Sequence, residues 1–183
     1  MGVKLSEKDG KLYAEGIAPP KWIAEFEERA PWIAGVNAID ESHLQNSDLV
    51  ELERLKGEIE SAVLLFPLGR AELESGQEGT LAQATKNIQS ILVDAQGLHG
   101  TISFEVVGHS DSTGVEATNL PLSRQRADLI LLYLHRAGIK SANLRPRGVG
   151  TSQPLRNEET EEGRRLNRSV TFKVAFSPAS PVN

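Results

Sequence analysis

The sequence predicts an α+β protein in which a small β-β-α-β module precedes a two-layer domain of order β-α-β-α-β-(α)-β. Segments with alternating apolar and polar residues, typical of half-buried strands, alternate with segments in which apolar residues recur at helical spacing. This order places helices on one face of a mixed sheet. The first sixty residues are strongly acidic and the remainder is nearly neutral, which indicates two parts of different chemistry.

Residues 1–45 are predicted to form the β-β-α-β module. Two short strands flank Asp9 and Gly10, a dipeptide typical of tight hairpins. Pro20 favours the start of a helix whose apolar residues, including Phe26, lie on one side. GVNAIDESHL follows as the third strand. A module of this size buries only a small hydrophobic core by itself, so we expect it to pack against a neighbouring part of the protein.

Residues 46–62 are predicted to form a connecting helix, because apolar residues recur there every three or four positions. The second domain is predicted over residues 63–176, and residues 177–183, with two prolines, are expected to form a flexible tail. The predicted elements of the second domain are a strand at 63–66, a helix at 81–92, a strand at 102–107, a helix from Ser123 to Ala137, a strand at 144–149, a short helix at 158–167 and a strand at 170–176.

The composition excludes several classes of protein. With 39% hydrophobic and 25% charged residues, the 183-residue chain is neither fibrous nor disordered. It has no cysteine for disulfides or thiol chemistry, and its apolar runs are far shorter than the ~20 residues of a membrane span. The basic residues are too few for nucleic acid to be a partner. Only His109 lies beside another potential ligand, Asp111, so we expect no metal site and no cofactor.

Asp111 and Arg126 are the candidate binding pair. Asp111 follows a strand, and Arg126 is expected in the first turn of the helix that Ser123 begins, where free N–H groups and the helix dipole favour an anion. The Arg126 guanidinium suits a carboxylate, and Asp111 suits an ammonium group. Together they fit the zwitterionic end of an amino acid. On spacing alone the alternative stays open that Asp111 only forms a turn and that Arg126 is solvated.

Several ordered motifs resemble the OmpA-like family, which includes the C-terminal domains of Pal lipoproteins and MotB stators. These motifs are VLLFPLGRAEL at 63–73, GHSDSTG at 108–114, N-x-x-L-S-x-x-R-A at 119–127, GIK at 138–140, RGVGTSQP at 147–154 and RRLNRSV at 164–170. The similarity extends to about residue 176. One departure is Ser169, where the family usually has a second basic residue. This departure concerns the contribution of the last loop to ligand binding more than it concerns Asp111 and Arg126.

The resemblance implies non-covalent binding of peptidoglycan through the diaminopimelate of its stem peptide. Asp111 would then take the ligand ammonium and Arg126 its carboxylate, with Ser110, Asn119 and Arg168 as further contacts. The protein would be a cell-wall anchor and not an enzyme, with no catalytic residues. We expect a soluble fragment of a larger exported or membrane-anchored protein, located in the periplasm or cell envelope.

Two other functions remain as alternatives. The fold could serve as a protein-interaction or membrane-surface module without peptidoglycan binding. Residues 1–45 weakly resemble a BON domain, which is associated with membrane surfaces, so a membrane surface or an envelope protein is a candidate partner of that module. A hydrolase that uses Ser110, His109 and Asp111 is disfavoured, because the adjacent His109 and Ser110 would point to opposite faces of a strand and no G-x-S-x-G elbow is present. The oligomeric state stays open.

Overall fold

The computed structural model describes residues 2–178. The chain forms two compact units, one that ends at Arg54 and one that begins at Leu55. The boundary falls inside the helix predicted at 46–62, so the second half of that helix belongs to the second unit. None of the helices in the described range has both the length and the apolar character needed to cross a bilayer.

The mixed α+β class is confirmed, with five helices and seven strands in the described residues. The strands are β1 (Gly2–Lys8), β2 (Lys11–Ala18), β3 (Ala38–Asn46), β4 (Leu64–Leu65), β5 (Thr101–Gly108), β6 (Leu144–Gly148) and β7 (Ser169–Ser177). The helices are α1 (Pro20–Arg29), α2 (Ser47–Ser61), α3 (Glu78–Gly97), α4 (Glu116–Arg136) and α5 (Glu161–Asn167). Short 3-10 turns occur at Ala30–Trp32 and Ser141–Asn143.

The first unit has the predicted β-β-α-β order. Its sheet has the order β1-β2-β3, with β1 antiparallel and β3 parallel to the central β2. Asp9 and Gly10 have φ angles of 53° and 77°, as the predicted hairpin turn requires. The core is small and contains Leu12, Ala14, Phe26 and Ala30. The family of this unit stays a prediction.

The second unit is built on a four-stranded mixed sheet of order β4-β7-β5-β6. The central pair β5 and β7 is antiparallel, and β6 is parallel to β5. Alternate residues of β5, namely Ile102, Phe104 and Val106, are buried as the alternation predicted. The intervening Glu105 pairs across the opposite face with Arg147 of β6. Each strand therefore has one face toward the core, and β5 ends where the candidate site begins.

Several predicted boundaries differ from the structure. Helix α3 is longer than the predicted 81–92, and α5 begins three residues later than predicted because the Thr160 hydroxyl accepts the Gly163 N–H and caps the helix there. The third strand begins at Ala38 and not at residue 35, since Gly35 with a φ of 85° is still in the preceding turn. Ser177 belongs to β7 and not to the predicted tail, whose residues 179–183 lie outside the described residues.

Helix α4 is the largest departure. The prediction that Ser123 begins this helix is wrong, because the helix starts at Glu116 and continues through Pro121. The Ser123 hydroxyl donates to the Leu120 carbonyl inside the helix and accepts the Gly150 N–H. Pro121 lies inside the helix, and the surrounding structure stabilises the helix on both sides of it. The predicted stop at Gly138 is confirmed, with a φ of 88° just after the helix.

Candidate ligand-binding site

Three segments of the second unit surround one cavity of about 400 Å³. They are the loop at 67–70, the chain after β5 and the first part of α4. Four of the five predicted site residues line this cavity: Ser110, Asp111, Asn119 and Arg126. The fifth, Arg168, does not line it but contacts Asp111. The rest of the lining is contributed by Leu68, Gly69, Thr113, Thr118 and Leu122.

Arg126 is among the most buried side chains of the described residues, with 1% of its surface exposed. Its guanidinium donates from Nε to the Arg70 carbonyl, from Nη1 to the His109 carbonyl and from Nη2 to the Pro67 carbonyl, at 2.8 to 3.1 Å. It also lies over the ring of Phe66, 5.4 Å from the ring centre. The side chain therefore joins the loop at 67–70 to the end of β5.

No carboxylate within residues 2–178 is bonded to the Arg126 guanidinium. All three acceptors are neutral carbonyl oxygens, and a guanidinium has five N–H donors. One N–H on each terminal nitrogen is left, and a ligand carboxylate could accept from them. Burial lowers the pKa of Arg126 to about 10, although nearby Asp111 raises it. An anionic ligand in the cavity would relieve this cost of burial.

Asp111 is paired inside the protein. Its Oδ2 accepts from Arg168 at 2.7 Å, and its Oδ1 accepts the Thr113 N–H at 3.2 Å. Arg168 also donates to Glu161 of α5 at 2.9 Å. Both members of the Asp111–Arg168 pair are more than nine-tenths buried. The structure thus brings Arg168 to the site as the partner of Asp111.

Ser110 and Asn119 hold the loop around Asp111. The Ser110 hydroxyl donates to the Asn119 carbonyl. The Asn119 amide donates to the carbonyls of Asp111 and Thr113, at 3.2 and 3.1 Å. Both side chains are buried, so their donors are used within the protein. Their positions at the cavity fit the prediction, and their contact with a ligand stays a prediction.

His109 lies beside the site with its ring turned into the protein. Its Nδ1 is 3.0 Å from the Gln153 carbonyl, and because a carbonyl only accepts, this nitrogen carries the proton. Its Nε2, 2.9 Å from the Thr171 hydroxyl, then accepts from it. Burial lowers the pKa of His109. Neither ring nitrogen contacts Ser110, so these two residues do not form the nucleophile and base of a hydrolase. No group of three or more His, Asp or Glu residues suited to a metal occurs within residues 2–178.

The reason given for Arg126 from the sequence is incorrect. Arg126 lies well inside α4 and not in its first turn, so the free N–H groups and dipole of a helix N-terminus do not act at this residue. Burial against three carbonyl groups takes their place. Arg126 lines the cavity, but its electrostatic environment differs from the one expected, and its contact with a ligand stays a prediction.

Three residues at the site were not predicted from the sequence: Leu68 and Gly69, which line the cavity, and Glu161, which pairs with Arg168. The first two stand in a Pro-Leu-Gly turn after β4, and the turn signal at 67–69 was available. Nothing local showed that this turn would approach α4, because the contacts join positions more than fifty residues apart. Glu161 had the same appearance in sequence as the other acidic residues around α5.

Comparison with known proteins identifies the class of this domain. The sequence profile of the OmpA family matches residues 65–168, which is more than half of the chain and includes the whole cavity. The chain therefore belongs to the OmpA family. This match confirms the resemblance found in the motifs.

Among curated relatives, the outer-membrane lipoprotein YfiB of Pseudomonas aeruginosa is 30% identical over 114 residues, covering 62% of this chain and 63% of its own length. The peptidoglycan-binding protein ArfA of Mycobacterium tuberculosis is 39% identical over 67 residues, covering 37% of this chain and 21% of its own. The chain thus spans less than two thirds of the length of these relatives.

A solved structure shows the same fold. The peptidoglycan-associated lipoprotein of Burkholderia pseudomallei superposes with a TM-score of 0.57 at 17% identity, over 68% of this chain and 99% of that one. At this identity the likeness establishes the architecture of the second unit and leaves its ligand to be argued from the site.

Proposed function

We propose that the chain binds peptidoglycan non-covalently through the diaminopimelate of the stem peptide and anchors a cell-envelope protein to the wall. Arg126 binds the ligand carboxylate, and Asp111 faces the neighbouring amino group. Ser110, Asn119 and Arg168 shape the loop that presents Asp111. In this proposal the chain lies in the periplasm or cell envelope, and its partner is the wall itself.

One observation supports this proposal above the others: the buried Arg126 guanidinium lies at the wall of a cavity, and no carboxylate of the described residues is bonded to it. Burying a charge is costly unless it is paired, and the three carbonyl groups around Arg126 compensate for only part of that cost. A ligand carboxylate would complete the set. The relative ArfA is named as a peptidoglycan-binding protein, which agrees with this chemistry.

We infer binding and not catalysis at this cavity. A nucleophile needs a base within hydrogen-bond reach, yet the Ser110 hydroxyl donates to the Asn119 carbonyl, and the His109 ring contacts Gln153 and Thr171. The residues of the site therefore serve to hold a ligand.

The test compares two lysine substitutions on the same helix. Arg126→Lys keeps the positive charge but loses the planar fork, so we expect meso-diaminopimelate to bind at least about tenfold more weakly in calorimetric titration. Arg124→Lys is the matched control, because Arg124 is half-exposed and pairs only with Asp128 in the described contacts. It should bind as the unaltered protein does.

Folding of both variants is checked by circular dichroism and thermal unfolding before titration. Sedimentation with whole peptidoglycan provides a second readout in which many weak contacts add. If the well-folded unaltered protein binds neither meso-diaminopimelate nor peptidoglycan, the proposal is wrong. The fold would then serve as a protein-interaction or membrane-surface module.

A further inference from the structure

The buried charges of the site do not balance. Arg126, Arg168 and Asp111 are all buried, and they comprise two cations and one anion. Asp111 forms its ion pair with Arg168, whose second partner Glu161 has a side chain 66% exposed. No ion pair joins Arg126 to a carboxylate in the part of the chain that the structure describes. The interior of the site therefore has an excess positive charge at Arg126.

Because of this excess positive charge, the site favours the carboxylate of a zwitterion over its ammonium group. A carboxylate at Arg126 neutralises the excess charge. It also accepts hydrogen bonds from the guanidinium N–H groups that do not donate to the three carbonyls. An ammonium at Asp111 would share that carboxylate with Arg168 and would place a third cation near two guanidinium groups. Repulsion between like charges offsets much of the gain from the new ion pair.

We propose that the cavity binds its ligand mainly through the carboxylate and tolerates acylation of the neighbouring amine. The inference rests on the proposed function and defines its substrate class. Cross-linking of peptidoglycan converts the amine of diaminopimelate into an amide but leaves the adjacent carboxylate free. The domain thus accepts cross-linked as well as free diaminopimelate residues, whereas amidation of the carboxylate prevents binding.

The size of the cavity is consistent with an acylated ligand. Its volume of about 400 Å³ lies in the range of ~300–1,000 Å³ that is typical of pockets for drug-sized molecules. Leu68, at its edge, is more than half exposed and offers an apolar surface. A neutral acyl group can lie there without losing a charged contact.

The test titrates the unaltered protein with three probes that are equal at both ends: meso-diaminopimelate, its N,N′-diacetyl derivative and its diamide. We expect the diacetyl derivative to bind within about threefold of the parent compound, since it keeps both carboxylates. The diamide should bind at least about tenfold more weakly, because it cannot pair with Arg126.

The outcomes separate this inference from the proposed function. If the diacetyl derivative binds as weakly as the diamide while the parent compound binds well, the ammonium contact is essential and the inference is wrong. If none of the three probes binds to the folded protein, the proposed function fails and the inference with it.

A variant adds an independent measurement. Arg168→Met removes the internal partner of Asp111, so the preference for the free amine over the acetylated amine should rise about tenfold. Arg165→Met is the matched control, since Arg165 pairs with Glu74 and Glu162 and not with Asp111. An unchanged preference in a folded Arg168→Met protein would contradict the role given to this ion pair. Should that variant not fold, the three-probe titration decides alone.

Discussion

Asn167 stabilises the loop that lies before α5. Its Oδ1 accepts the N–H groups of Leu155 and Arg156, and its Nδ2 donates to the Arg156 carbonyl and to Glu158. The residue is fully buried, so each bond lost would leave a polar group without water. Glu158 in turn accepts the Ser112 N–H next to Asp111. Asn167 thus supports the site through Glu158.

We predict that Asn167→Ala destabilises the second unit by about 2–4 kcal/mol, because four hydrogen bonds are lost at a buried position. The sharper measurement is hydrogen exchange, in which the amides of Leu155 and Arg156 should lose protection more than those of β5. Asn157→Ala, at an exposed neighbouring position, is the control and should leave both amides protected. Equal protection in the Asn167 variant would show that the loop is held by other contacts.

His109 predicts a pH dependence of stability. Burial lowers the pKa of His109 in the folded state, and nearby Lys173 lowers it further, whereas the Gln153 carbonyl raises it. In the unfolded chain the pKa lies near 6.5. Below that pH the unfolded state binds more protons than the folded state, so the free energy of unfolding falls as the pH falls below about 6.5.

The measurement is urea denaturation between pH 8 and pH 5. His109→Gln, which has no titrating ring, should show a flatter profile over this interval, with lower stability at pH 8 because its bonds to Gln153 and Thr171 change. His43→Gln, at an exposed position of the first unit, is the control and should keep the original profile. A parallel profile for the two variants would refute the assignment to His109.

At the level of residues, the sequence identified which side chains meet but not how they pair. Asp111 and Arg126 line one cavity as predicted, because the end of a strand and the following helix are close in the chain. The Asp111–Arg168 pair joins positions 57 apart, and no local pattern encodes such a contact. Charge pairing in the interior depends on the tertiary structure, which is why the internal partner of Asp111 was not anticipated.

Among the elements, β5 and α4 come very close to each other at Gly108. A Cβ at this position would overlap the Ser123 carbonyl oxygen and lie 3.3 Å from the Ala127 nitrogen. Only glycine permits the helix backbone to come this near to the end of the strand. This contact keeps α4 close enough to the end of β5 for Arg126 to donate to the His109 carbonyl.

We predict that Gly108→Ala destabilises the protein by about 3 kcal/mol or more, since the overlap is with backbone and cannot be relieved by a side-chain rotation. Gly57→Ala is the matched control, because Gly57 is exposed in α2 and an added Cβ meets nothing within 4 Å. There we expect a gain of up to about 1 kcal/mol from helix propensity. Thermal unfolding of both variants measures the difference in stability. A loss well below about 3 kcal/mol for Gly108→Ala would mean that β5 and α4 can move apart at little cost in free energy.

The elements themselves were largely predictable, and their ends were not. Apolar periodicity gave β5 and the later turns of α4 correctly, since burial of one face fixes that pattern. The predicted start of α4 lies seven residues too late, because Ser123 is a residue type that favours a helix start locally. Tertiary hydrogen bonds stabilise the earlier start: the Asn119 side chain donates to the Thr113 carbonyl, and Glu116 accepts the Thr151 N–H.

For the whole molecule, the division into units differs from the predicted domain boundary. The prediction began the second domain at residue 63, whereas the second compact unit begins at Leu55, inside α2. Leu55 and Ile59 are buried. Glu60 accepts the Val174 N–H of β7, and Glu58 accepts from Asn87 of α3. These contacts make the second half of α2 part of the second unit, where it covers an edge of β7 that β4 leaves unpaired.

We therefore predict that a fragment of residues 47–178 folds cooperatively on its own. A fragment of residues 63–178 should be less stable by at least about 3 kcal/mol, because it loses the apolar packing of Leu55 and Ile59 and the hydrogen bond from the Val174 N–H to Glu60. Urea denaturation of the two fragments gives both free energies, and the slope with denaturant should also fall in the shorter one because it buries less surface. Glu60→Gln in the longer fragment separates the hydrogen bond from the apolar packing, since it can still accept the Val174 N–H and should cost little. Equal stability of the two fragments would instead place the domain boundary at residue 63, where the sequence first indicated it, and would make α2 a connector only.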